Sequence, residues 1–157
     1  MPGQHRIIYR KFTLMHLEID IAPLIESVTG ILADKEILRE VAAPISTLMH
    51  ERIFEKGLAS DGNPIGTYNN RYLKLRQKKY KLSADPKVIV VLTNSTQSNW
   101  QPVETSDGWG IGIIKDIDFN KFGWVEERFG KKIGELTEDE LEEASFYVME
   151  AIKRRLE

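Results

Sequence analysis

At 157 residues, with 41% hydrophobic and 29% charged residues, the chain reads as one soluble globular domain able to bury roughly two-thirds of its unfolded surface. The absence of cysteine excludes disulfides, thiolate metal sites and a cysteine nucleophile, and suits a reducing compartment. Its formal charge of −2 is unevenly spread: residues 71–81 carry six cations and no acid, leaving −8 for the rest.

Residues 1–6 lead into no apolar run long enough for a signal peptide, and no stretch approaches a membrane span. The expected setting is therefore cytosolic, without membrane contact. Residues 7–19 alternate loosely in polarity and fit a strand or a short helix. Pro23 suits the first turn of a helix over about 22–31. The clearest helix covers 34–56. Ile37, Leu38, Val41, Ile45, Leu48, Met49 and Ile53 recur every three or four residues, which makes one apolar stripe. Asp34 can cap it and Gly57 can end it in the left-handed conformation, while Pro44 should kink or split it.

The turn-rich stretch 58–70 contains Asp61, Gly62, Pro64 and Gly66 around two apolar residues, Ile65 and Tyr68. It is expected to be an exposed loop that contacts a partner. A basic helix of two or three turns follows over 71–82, with Arg71, Lys74, Arg76, Lys78, Lys79 and Lys81 interleaved with Tyr72 and Tyr80. Its bland reading is a solvated helix face; its functional reading is an electrostatic footprint for an anionic surface. Asp85-Pro86 breaks it. Residues 87–93 form an aliphatic run expected to be a strand buried on both faces.

Ser106-Asp107-Gly108 marks a hairpin between 101–105 and 109–115. Trp124 and Phe129 are expected to pack on the sheet. Thr137 and Glu140 form a capping box, and Leu141, Ala144, Val148 and Ile152 line one face of the last helix, which ends in Lys153, Arg154 and Arg155. The sum is an α+β domain with long helices on a small, mostly antiparallel sheet.

Catalytic and metal chemistry finds little support. His5, His16 and His50 lack metal-ligand spacing. No Gly-x-Ser-x-Gly elbow frames a serine. Gly110 and Gly112 are half a dinucleotide fingerprint, but Lys115 occupies the third glycine position and no helix opens there. Asp116, Asp118 and Asn120, with Glu127, partly mimic a calcium loop; Lys121 stands where glycine makes the turn. The preferred reading is a solvated turn before a short helix. Asn94-Ser95-Thr96 is a formal glycosylation acceptor with no secretory signal. No motif calls for a cofactor, and no enzymatic activity is expected.

Residues 126–143 hold eight acids against three bases. A chain with a strongly basic and a strongly acidic patch can bind copies of itself head to tail, and such heterologous contacts form rings when the rotation closes. The rival is a nucleic-acid-binding accessory protein that uses residues 71–81 on phosphates.

Several short motifs resemble those of the phage virion morphogenesis (tail-completion) family. From Arg52 to Tyr68, a helix carrying Phe54 runs into Asp61-Gly62 and then a basic stretch. Residues 90–100 are similar to that family's strand-to-turn element, with Asn94 in place of a glycine and Gln97 in place of an aliphatic. The block Phe122 to Gly130 is similar to its His-x-Phe-Gly neighbourhood without the histidine, and Leu136 to Leu141 opens a final helix as in that family. The resemblance implies a structural α+β subunit of a neck or tail ring in the virion, assembled in the host cytoplasm. It also implies contacts with itself, with other neck, tail or portal-associated proteins, and with DNA in a lumen.

Overall fold

The computed structural model describes residues 35–91, 95–106 and 108–157. The expected elements at 7–19 and 22–31, the Asp34 cap, His5, His16 and Asn94 lie outside these residues.

The α+β architecture is as expected, with helices around a two-stranded antiparallel sheet. Helix α1, Lys35–His50, turns Ile37, Val41, Ala42, Ile45, Ser46 and Met49 inward. Pro44 does not split it. The helix instead continues into a wider turn, Glu51–Lys56, of the kind where backbone bonds span one more residue. Gly57 ends it at φ 65°, and its N–H, like that of Leu58, returns to the Arg52 carbonyl. A Cβ on Gly57 would overlap the Val88 carbonyl oxygen, so both conformation and space require glycine there.

Stretch 58–69 is tied down at many points. The Ile65 N–H bonds the Gly57 carbonyl at 2.9 Å, Ser60 N–H bonds Lys132 at 2.8 Å, and Tyr68 N–H bonds Pro86 at 2.7 Å. Ile65 is only 2% exposed, so it belongs to the core and not to a projecting loop. Helix α2, Asn70–Tyr80, is capped by Asn69, whose side chain accepts from the Tyr72 N–H.

The expected strand at 87–93 is replaced, over its described part, by an extended segment with one isolated bridge, Thr67 to Lys87. Val88 and Val90 are buried while Ile89 and Val91 are half-exposed, so burial alternates instead of covering both faces. The reason is local. Tyr68 Oη donates to the Ile89 carbonyl at 2.6 Å, and Arg76 Nη1 donates to the Val91 carbonyl at 2.7 Å. Side chains thus occupy carbonyls that a neighbouring strand would otherwise use.

After the short helix α3, Ser95–Ser98, strands β1, Trp100–Thr105, and β2, Gly108–Ile113, pair from Trp100 with Ile113 to Thr105 with Gly108. Helix α4, Asp116–Phe129, starts where a solvated turn was expected. Its Asp118 is fully buried and accepts from Ser95 Oγ at 2.6 Å, Lys121 Nζ at 3.0 Å and Asn99 Nδ2 at 3.1 Å. That carboxylate fastens the 95–99 turn to α4, which is why it does not belong to an open calcium loop.

Helix α5, Glu138–Leu156, carries the expected capping box. Its Ala144, Val148, Ala151 and Ile152 are buried, and the helix packs along α1; Leu141, expected on the same face, is 43% exposed. Trp100 joins the layers. Its ring stacks on Phe122 at 5.8 Å and meets Phe54 edge-on at 5.7 Å, while Nε1 donates to the Ser46 carbonyl.

A buried ion pair seals the far end. Arg52 Nε donates to Glu140 Oε1 at 2.7 Å, and its two terminal nitrogens donate to the carbonyls of Leu58, Ile133 and Glu135. Every guanidinium donor is used, which is what makes a buried charge tolerable. Glu140 Oε2 accepts the Thr137 N–H at 2.9 Å, so one carboxylate caps α5 and neutralises Arg52.

No helix among the described residues is long and apolar enough to cross a membrane.

Candidate interaction groove

The basic segment does not act as one solvated face. Asn69 caps α2 so that Arg76 points inward, and it is 3% exposed. Its guanidinium lies over the Tyr68 ring at 4.5 Å and near the Tyr72 ring at 5.8 Å. Its Nε has no hydrogen-bond partner, and no carboxylate among the described residues pairs with it. Burial pushes the Tyr68 phenol up, against the opposing charge of Arg76. It therefore stays protonated and donates to Ile89.

Tyr68, Tyr72 and Arg76 form one wall of a groove of about 390 Å³. The opposite wall is α4, with Lys121, Trp124, Val125, Arg128 and Phe129, and Val90, Val91 and Thr96 lie between. A second cavity of about 520 Å³ adjoins it, sharing Tyr72 and Arg128, and adds Arg71, Lys74, Leu75 and Lys78. Arg71, Lys74, Lys78 and Arg128 make no ion pair among the described residues. The site is an aromatic trough with a cationic extension.

The contribution of α4 is what sequence reasoning missed. Trp124 is 63% exposed and does not pack on the sheet; Phe129 is half-buried against Gly66. The signal was the spacing: Ile117, Lys121, Trp124 and Arg128 recur at four, three and four residues, which puts them on one helix stripe. The buried stripe is Asp118, Phe122 and, in part, Val125 and Phe129.

The remaining expected interface residues fall into two groups. Asp61, Gly62 and Pro64 are exposed, but Asp61 is held by Lys131 Nζ at 2.6 Å and by the Asn63 N–H at 3.0 Å, away from the groove. Lys79 and Lys81 are exposed and line neither cavity.

The acidic counterpart is smaller than the sequence implied. Glu140 is committed to Arg52, and Glu126 Oε1 accepts the N–H groups of Ile133 at 2.7 Å and Gly134 at 3.0 Å. Glu138, Asp139, Glu142 and Glu143 remain exposed at the start of α5. Beside them Leu141, Phe146 and Met149 are 43%, 58% and 56% exposed. No group of three or more metal-ligating side chains gathers among the described residues.

No family model, no curated protein and no solved structure matches the chain.

Proposed function

We propose that the chain is a non-enzymatic structural subunit that assembles with copies of itself into a ring, in the manner of a phage neck or tail-completion protein. One observation carries the reading: a cation-lined aromatic groove and a separate acidic, apolar helix face are both exposed on the same subunit. Surfaces of opposite character on one chain favour heterologous contacts, and those close into rings or continue as fibres. The motif resemblance at 52–68, 90–100, 122–130 and 136–141 supplies the virion setting, with neck, tail or portal-associated proteins as further partners. The groove's rings would supply affinity and the charges mainly orientation.

The test is the mass of the full chain in solution at low and high salt. A closed oligomer of one defined size is expected, weakened by salt because exposed charges steer it. A monomer at every concentration and salt would overturn the reading.

A second reading, nucleic-acid binding, is favoured by Arg71, Lys74, Lys78 and Arg128, which make no ion pair among the described residues, beside Tyr72 and Trp124. Cations that track phosphates next to rings that stack bases are the elements of a single-strand site. Its signature is an affinity for single-stranded DNA that falls with log salt at a slope of about −0.7 per neutralised phosphate.

A further inference from the structure

We infer that the groove between α2 and α4 of one copy seats the exposed face of α5 from the next copy, with the acidic end of α5 over the cationic extension and Phe146 and Met149 in the aromatic trough. The inference rests on the self-assembly reading and names the two surfaces that would join.

Helix α5 is amphipathic twice over. One side, Ala144, Val148, Ala151 and Ile152, is spent on α1. The spacing of Glu138, Leu141, Glu142, Ser145 and Met149 places them along a flank, with Phe146 at its outer edge. Leu141, Phe146 and Met149 form an exposed apolar surface that nothing among the described residues covers. None of them lines the groove of their own subunit, and packing against α1 prevents α5 from folding back there. An α5 seated in that groove would therefore belong to a second copy.

Charge fixes the direction. The anions of α5 are gathered at its start, in Glu138, Asp139, Glu142 and Glu143, while Lys153, Arg154 and Arg155 stand at its end. The groove is unevenly charged: exposed Arg71, Lys74 and Lys78 lie in the extension. The trough combines Val90, Val91, Trp124, Val125 and Phe129 with the buried Arg76, with Lys121, which is paired to Asp118, and with Arg128, which the two share. One orientation puts acids on cations and rings on rings. The reverse gives up the attraction between those acids and Arg71, Lys74 and Lys78, and offers them instead the end of α5 where Lys153 is already bonded to Glu150 at 2.7 Å and Arg154 and Arg155 follow. An apolar helix face laid into such a groove is a recurrent recognition mode.

The chain has no cysteine, so single introduced thiols are unambiguous probes. Purified Arg128→Cys and Glu142→Cys variants, both at exposed positions, are mixed and treated with a short bismaleimide. Cross-linked dimer is expected from the mixture and not from either variant alone. In parallel, Trp124→Ala and Phe146→Ser should each weaken self-association by about tenfold or more, with the double variant losing less than the two combined. Both side chains are exposed, so circular dichroism should register no loss of fold. If the oligomer forms at its normal mass in both variants and the mixture does not cross-link, this docking is wrong and the ring uses another surface. If the unmodified chain never associates, self-assembly fails and the docking falls with it. If a short single-stranded DNA occupies the groove, blocking labelling at Arg128→Cys while the oligomer persists, the trough serves nucleic acid instead.

Discussion

Phe122 and Trp124 stand two residues apart on one helix and face opposite ways: the first is 1% exposed and stacked on Trp100, the second 63% exposed at the groove. Two residues are about 200° of helix. A pair of aromatics so spaced cannot share a core, and packing under the sheet selects Phe122.

Substitution should separate them. Phe122→Ala is expected to cost about 3–5 kcal/mol, since it empties a fully packed site between Trp100 and Gly134. Trp124→Ala should change stability by no more than about 0.5 kcal/mol. Urea unfolding of the two variants checks both figures. A large loss in the second would place Trp124 in the fold and not on a binding surface.

Removing one partner of the buried Arg52–Glu140 pair should cost about 3–5 kcal/mol, because the other charge is left without compensation. Arg52→Lys should be nearly as damaging as Arg52→Met, since one ammonium cannot reach the carbonyls of Leu58, Ile133 and Glu135 together with the carboxylate. The double change Arg52→Met with Glu140→Leu should lose less than the single changes combined, as a thermal unfolding cycle would show.

Acid should act through Asp61. The hydrogen bond from Lys131, then that from the Asn63 N–H, hold its carboxyl at about 2 against an ordinary 3.8. A depressed folded value means the stabilisation is complete above the ordinary value and is lost as pH falls from about 4 through about 2. Asp118 has the same sign. Burial pushes it up, but hydrogen bonds from Ser95 and Lys121 and the charge of Lys121 outweigh that and hold it below the usual range. Asp61→Asn should therefore flatten the acid limb of stability against pH, followed by unfolding midpoints from neutral to strongly acidic buffer. An unchanged acid limb would mean that the Lys131 contact does not persist in solution.

Gly57 and Lys81 occupy the left-handed region at φ 65° and 55°, but with opposite consequences for substitution. Gly57→Ala adds both strain and a collision with the Val88 carbonyl oxygen, so a loss greater than about 1 kcal/mol is expected. Lys81→Gly should raise stability by about 1 kcal/mol, because a helix end in this conformation favours glycine. Denaturation midpoints of the two variants should move in opposite directions.

Local chemistry was readable and long-range packing was not. The Thr137–Glu140 box, the Gly57 terminus and the antiparallel pairing that brings Thr105 beside Gly108 follow from short motifs whose partners lie within a few residues. The aliphatic run at 87–91 looked like a strand because composition cannot reveal that Tyr68 and Arg76 occupy its carbonyls. Ile65 looked exposed because its neighbours are turn formers, yet the loop closes over it through backbone bonds to Gly57 and Lys132. In the groove, α2 was legible from its charge, whereas α4 required choosing between two apolar stripes on one helix. Nothing local links Arg52 to Glu140, 88 residues further on.

That separation has a consequence for how the molecule is made. A ribosome releases Arg52 long before Ile133, Glu135 and Glu140 exist, so the nascent polypeptide cannot bury that guanidinium with its final partners until almost the whole chain has emerged. Closure of this end of the core must wait for synthesis to reach α5. A product that stops short of residue 140 would then lack both the carboxylate that neutralises Arg52 and the helix that packs along α1, so premature termination would open this end of the core and not merely remove one helix.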